Sequence, residues 1–413
     1  MSKLQSSKIQ SVIFLFVTLF FWISMYIYVP ILTPYLSNLK YSLQFIGVVL
    51  ATYGLIQLLF RFPLGILSDH LQKRKLFIVL GMLCSVCSCL LFLVPDLWIF
   101  PLLGRAVAGI CASTWVAFTI MYANNFEQHE MPKAMGQISL YTVLGQFIGM
   151  MASGWISDVY QYRMTFIVGA VIGAIGLVLS FLLYEKSPTS DQKGMSFKLI
   201  GSVLSSHRVL FASLLSVLAH GVLFITMFGF TPLKAIELGA TGTQLTILIA
   251  CFMIPHAIAA RVAYPIMQKL HHRGTFAISF FISGLCTLAL MFVDSLPAMY
   301  FTQLLNGFAQ GLHLPLLLSF AIYKVESNVR ATAMGLYQAL YSVGMFSGPL
   351  IAGILNDNFG IDSGFLFGSI LAFSALVVIP WSLYVDFKKD ALITINVLTK
   401  HSELSLKGEE QEK

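Results

Sequence analysis

Four polar side chains recur inside one long apolar run: Gln303, Asn306, Gln310 and His313. Their spacings of 3, 4 and 3 put all four on one face of a helix. Three amides and an imidazole in such a stripe can hold a solute, relay a proton, or bond to a neighbouring helix. Arg61, Arg105, Arg261, His220 and His256 also interrupt apolar runs. The chain has 18 Asp and Glu, yet none stands deep in such a run; Asp158, Asp357, Asp294 and Glu237 fall near the ends. A buried Asp or Glu is a frequent proton relay in membranes, so here that role falls to bases. The sequence has no phosphate-cradling Gly-Lys-Ser/Thr loop, no H-E-x-x-H and no nucleophile elbow with a matching triad. No catalytic residues, cofactor or metal are expected. Cys84, Cys87 and Cys89 have no His or carboxylate near them, and all six Cys lie in apolar runs, which suits small buried hydrophobes.

The elements that must position these groups follow from composition. The chain has 413 residues, of which 57% are hydrophobic and 10% charged. Soluble proteins carry about 25% charged residues, so lipid must solvate most of this surface. A bilayer core of about 30 Å needs roughly 20 apolar residues per helix. Twelve runs qualify: 12–36, 44–68, 76–94, 98–122, 134–156, 163–184, 208–235, 243–268, 274–293, 297–322, 331–355 and 363–386. The first is too long for a signal peptide and is kept as a span. Residues 185–207 read as a polar linker and 387–413 as a charged, disordered tail. If both termini face the cytoplasm, 19 of the 25 Lys and Arg lie on that side, with Lys40, Arg163 and Lys234 outside and three within spans. That asymmetry fits the positive-inside rule. A basic balance of this origin implies no nucleic acid partner. No Asn-x-Ser/Thr sequon occurs, which favours a bacterial plasma membrane.

The chain repeats itself. "AMGQISLYTVLGQFIGMMASGWISD" (134–158) aligns with "AMGLYQALYSVGMFSGPLIAGILND" (333–357) at an offset of 199. The Ala-Met-Gly triplets, Gly145 and Gly344, Phe147 and Phe346, Gly149 and Gly348, Gly154 and Gly353, and Asp158 and Asp357 all match. Residues 1–184 and 208–386 are therefore expected to form two six-helix bundles in parallel orientation. The matched glycines permit close helix approach.

"GILSDHLQKRK" (65–75) resembles the loop after span two in the major facilitator superfamily, Gly-x-x-x-Asp-x-x-Gly-Arg/Lys-Arg/Lys. Gly65, Asp69, Lys73 and Arg74 match, and Gln72 stands at the second glycine. Arg105 and Gly109 in "LLGRAVAGICAS" are similar to that family's Arg-x-x-x-Gly motif in span four, and "VPILTPYL" (29–36) to the paired prolines ending span one of efflux members. Those members usually carry Gly-Pro in span five, where this chain has Gly149-Met150; Gly348-Pro349 occurs in span eleven.

The resemblance implies an all-α fold of twelve transmembrane helices and a conformational latch at Gly65, Asp69, Lys73 and Arg74. It also implies a central cavity lined by spans 1, 4, 7 and 10 with help from span eleven. The candidate substrate-binding residues are Tyr26, Arg105, Trp115, His220, Asn306, Gln310, His313, Tyr337 and Tyr341, with Phe224 and Phe228 as further aromatic walls. His220 and His313 are the candidates for proton coupling, since imidazole titrates near pH 6.5. The expected function is proton-linked export of a small organic solute by a monomer, not an enzyme. Import or uniport of a polar or anionic metabolite is the alternative, and a membrane receptor or lipid-modifying enzyme the alternative of another class.

Overall fold

A computed structural model describes residues 3–71, 73–94, 97–123, 125–126, 131–185, 207–322 and 330–380. The expected tail, nearly all of the linker and the Asp69 side chain lie outside the described residues. The described chain is almost entirely helical. Ten of its helices are long and apolar enough to cross a membrane. In order, with some crossings made of two successive elements, the helices are α1 (Lys3–Tyr26), α2 (Val29–Asn38), α3 (Leu43–Leu71), α4 (Arg74–Leu91), α5 (Ile99–Ser113), α6 (Trp115–Ala123) and α7 (Met131–Phe181). Then follow α8 (His207–Ile225), a π-helical turn (Thr226–Phe230), α9 (Thr231–Glu237), α10 (Gly242–Ala289), α11 (Leu296–Ile322), α12 (Arg330–Phe359) and α13 (Ile361–Pro380).

Two helices are too long for one crossing. At 1.5 Å per residue, α7 with 51 residues and α10 with 48 would each span about 70 Å or more. Each contains one residue with non-helical backbone, Gln161 (φ 69°) in α7 and His271 (φ 57°) in α10, where the direction changes. Positive φ is rare for a residue with a Cβ, so each break is imposed by the packing around it. The left-handed residues also follow the repeat: Lys40 and Gly239, and Gln161 and Gly360, are each 199 apart.

Three helices break midway, and two of the breaks, in α1–α2 and α8–α9, border the site. Pro30 sits in the first turn of α2, and a proline can neither donate to the preceding turn nor fit against it, so α1 stops at Tyr26. Between α5 and α6, Thr114 and Ser113 turn their hydroxyls back onto the carbonyls of Cys111 and Gly109, at 2.7 and 2.8 Å. Such back-bonding bends helices. The π turn 226–230 stands just before Pro232, and Thr226 bonds back to the Val222 carbonyl at 2.8 Å. Irregular backbone at membrane depth is tolerated where it is buried in protein or lines a cavity.

Candidate functional site

The breaks in α1–α2 and α8–α9 meet at a pocket, with α3 and α5 completing its wall. Its walls are Met25, Tyr26, Val29, Tyr53, Arg105, Phe224 and Phe228. Arg105 is buried, and its guanidinium stands over the Tyr53 ring at 4.3 Å. Among the described residues its Nε has no hydrogen-bond partner, and no carboxylate lines the cavity. A cation over an aromatic face gains some stabilisation when desolvated, but that leaves its N–H groups free for an acceptor. Tyr26 packs edge-on to Phe228 at 5.9 Å, and Phe224 stacks with Tyr53 at 6.0 Å. Trp115 stands one layer behind, edge-on to Trp22 at 5.0 Å, and Trp22 touches Tyr26.

Arg61 is the second buried cation. It donates from Nη1 to the Tyr341 hydroxyl at 2.9 Å, which ties α3 to α12. His220 lies flat on the same Tyr341 ring, with centroids 4.1 Å apart and planes 2° apart. Its Nδ1 is 2.8 Å from the Ser216 carbonyl and therefore donates. Tyr337 is buried and shares a short hydrogen bond with the Ser216 hydroxyl. Arg61, Tyr341 and His220 thus form one cluster across α3, α12 and α8. Arg261 is exposed and belongs to neither cluster.

The span-ten stripe lies elsewhere. Asn306 accepts from Ser283 at 2.8 Å and from Gln310 at 3.3 Å. His313 stacks on Phe280 at 4.4 Å, with Nδ1 3.3 Å from the Ser279 hydroxyl. Ser279, Phe280 and Ser283 all belong to α10, so this face of α11 turns into the C-terminal half. Neither amide group of Gln303, nor His313 Nε2, has a protein partner.

At the end of the molecule bearing the loop after α3, Glu185 accepts from the backbone N–H groups of Arg74 and Lys75, the latter at 3.1 Å. A carboxylate at a helix N-terminus satisfies orphan donors and the dipole together. Arg74 is buried and donates to the Ser68 hydroxyl, Lys73 is exposed, and Gly65 has open space where a Cβ would stand. The repeat glycines sit at helix crossings. Gly145 and Gly149 face α1 backbone, Gly344 and Gly348 face α8 backbone, and Gly154 and Gly353 touch α10 and α3.

Sequence reasoning did not single out Tyr53, Met25 or Val29. A tyrosine in an apolar run is ordinary core material, and only the position of Arg105 on the neighbouring α5 makes Tyr53 a wall of the site.

A bundle of long apolar helices around a cationic, aromatic cavity defines a polytopic membrane transporter. The profile of the Major Facilitator Superfamily matches residues 14–237 and 212–397, and the chain belongs to that family. An uncharacterized MFS-type transporter of Methanocaldococcus jannaschii is 24% identical over 359 residues, covering 83% of this chain and 90% of that one. Multidrug resistance protein MdtG of Klebsiella pneumoniae is 21% identical over 319 residues, covering 76% and 77%. Among solved structures, a bacterial homolog of the human lysosomal transporter Spinster, inward-facing and unoccupied, superposes with a TM-score of 0.75 at 13% identity, covering 92% of this chain and 97% of that one. The nucleoside transporter NupG gives 0.70 at 16% identity, covering 90% and 98%. The chain is a multi-pass membrane transporter of small molecules; its relatives are transporters rather than enzymes.

Proposed function

We propose that the chain exports a small organic anion or zwitterion in exchange for protons, by alternating access of two six-helix repeats. Twelve spans result when α7 is divided at Gln161 and α10 at His271. The single observation that carries the substrate class is Arg105, buried in an aromatic cavity where, among the described residues, its Nε has no partner and no carboxylate lines the wall. A lipophilic cation entering there would meet unbalanced positive charge, whereas an anion would supply it with acceptors. Tyr26, Tyr53, Phe224 and Phe228 give the solute's apolar part a place to stack.

Proton linkage runs through histidine in this reading. His220 is the first candidate, because it stacks on Tyr341, whose hydroxyl holds Arg61. Protonating His220 adds charge beside Arg61, which disfavours the Arg61–Tyr341 arrangement and couples proton entry to the contact between α3 and α12. His313, buried against Ser279 and Phe280, is the second candidate. Asp69, Lys73 and Arg74 act as a latch on the cytoplasmic face. Both termini are cytoplasmic, and the working unit is a monomer in a bacterial plasma membrane.

Export is supported by the MdtG relatives. Import is the second reading, favoured by Gly149-Met150 where efflux members carry Gly-Pro. The test is uptake of a metabolite panel into inverted vesicles with an imposed proton gradient. Accumulation that stops when the gradient collapses supports export. Accumulation only in right-side-out vesicles contradicts it. His220→Gln and His313→Gln that both keep the wild-type response between pH 5.5 and 8 contradict histidine coupling.

A further inference from the structure

Asp158 and Asp357, the aspartates that close the repeated segment, do matching work across the seam between the halves. The Asp158 carboxylate accepts from the Gly242 and Thr243 backbone N–H groups and from the Thr243 hydroxyl, the last two at 2.6 and 2.7 Å. The Asp357 carboxylate accepts from the Leu43 backbone N–H at 3.0 Å. Gly242 and Leu43 open α10 and α3, and they are 199 residues apart, like the two aspartates. Their N-caps match as well. Thr241 takes the Gln244 N–H at 3.2 Å, and Ser42 takes the Phe45 N–H at 3.1 Å. A helix start has four unpaired N–H groups. At α10 all four are met, since the Thr241 N–H donates to the Gln244 side-chain carbonyl at 2.8 Å and completes a capping box. Two of the four are met only by a residue of the other half.

The glycines make this reach possible. Gly353 and Gly47 pack so closely that a Cβ on either would lie 2.7 Å from the other's Cα. A Cβ on Gly154 would collide with the Gly242 carbonyl and Thr246. Backbones in contact leave each aspartate one side-chain length from the facing helix start.

We propose that Asp158 and Asp357 are twin pins that hold the two halves together on the face opposite the Asp69 loop, and that both must let go when the transporter opens on that face. Both aspartates are exposed at the edge of the seam. Water can therefore replace each carboxylate as the seam parts, which keeps the pin reversible where a pin at membrane depth would not be. Burial alone would raise the Asp158 carboxyl, but the bonds from Thr243 and Gly242 outweigh it and hold the group below its ordinary value. The pins are unequal: Asp158 takes three donors and Asp357 takes one.

The inference rests on alternating access between two halves but not on the solute or its direction, so its readout is a distance rather than transport. Asn38 and Glu237 are exposed, end α2 and α9 just ahead of the two pinned helix starts, and are again 199 apart. Spin labels attached there through an incorporated keto amino acid leave the native cysteines in place. In the full chain in nanodiscs, Asp158→Ala should raise the long-distance population roughly threefold, as expected for losing charge-assisted bonds. Asp357→Ala should raise it less, and the double variant most. Thr243→Val, which removes one donor and no charge, should give a smaller shift than Asp158→Ala and serves if that variant does not fold. A folded double variant with the wild-type distribution overturns the proposal. Equal shifts from the two single variants overturn the inequality. Lost transport with unchanged distances would leave the pins refuted and the transport reading intact.

Discussion

In the proposed two-half arrangement, the halves share a skeleton and differ in what they hang on it. Both place glycines against the first helix of their own half, at 145 and 149 and again at 344 and 348. Both end the segment with an aspartate on the other half's helix start. The N-terminal half then fills its interior face with Arg105, Tyr53 and Tyr26. The C-terminal half turns its amides and His313 inward, onto Ser279 and Ser283. In the proposed reading, symmetry is kept where the halves pack against each other, and it is broken at the proposed solute site. In this account the N-terminal half carries the charge that selects the solute, and the C-terminal half supplies Phe224, Phe228 and the Tyr341–His220 pair that answer to it.

The largest effect should come from the shared skeleton. Gly154→Val places two methyl groups where the Gly242 backbone already stands, and should lower transport by roughly a hundredfold while the protein still reaches the membrane, because overpacking forces backbones apart. Gly136→Val, at a position with open space around it, is the control and should stay within about twofold of wild type on the same ground. Equal loss in both would mean that the seam is not special.

Next comes the link between halves. Arg61→Gln removes the donor to Tyr341, and should cost roughly tenfold in transport rate, since charge-assisted hydrogen bonds contribute about 1.5–3 kcal/mol. Tyr341→Phe leaves Arg61 without its acceptor but keeps the ring stacked on His220, so its pH profile should keep its wild-type shape while its rate falls. A changed profile in Tyr341→Phe would place the hydroxyl itself on the proton path.

A smaller effect separates the halves. Asn306→Ala should lower stability by about 1–3 kcal/mol, because the Ser283 hydroxyl and Gln310 lose a buried partner. The apparent affinity for solute should not move. A large affinity change with normal stability would put the stripe of α11 in the cavity. The smallest effect is at the surface: Lys234→Gln breaks a 2.8 Å ion pair with the partly exposed Asp362, and should shift thermal stability by less than about 1 kcal/mol.

How much of this is legible in the amino-acid sequence differs from element to element. The membrane class follows from composition, because no soluble fold hides so much apolar surface. The glycines and Asp158 with Asp357 are legible through the repeat, since an identity kept at one offset marks a geometric need. What the aspartates bind is not legible. Leu43 and Gly242 act through backbone N–H groups alone, and Thr243 partly so, and a backbone donor leaves no residue-type signal. The stripe at Gln303, Asn306, Gln310 and His313 is legible as one helical face. Which neighbour that face meets is not, because period gives a direction relative to the helix axis and nothing about what stands opposite. Tyr53 is hidden for a related reason, since its role depends on an arginine 52 residues later in the chain.

The central claim is that Arg105 makes the cavity a site for negative charge. The most direct measurement compares one aromatic scaffold bearing either a carboxylate or a quaternary ammonium, as transported by wild type and by Arg105→Ala in reconstituted vesicles. Lys replaces the charge but not the planar fork, so Arg105→Lys serves as the intermediate case. The account expects the carboxylate form to be carried by wild type, to lose at least about tenfold in Arg105→Ala as a charge-assisted contact disappears, and to recover in part in Arg105→Lys. Transport of the ammonium form by wild type, undiminished or improved in Arg105→Ala while the carboxylate form is ignored, would contradict it.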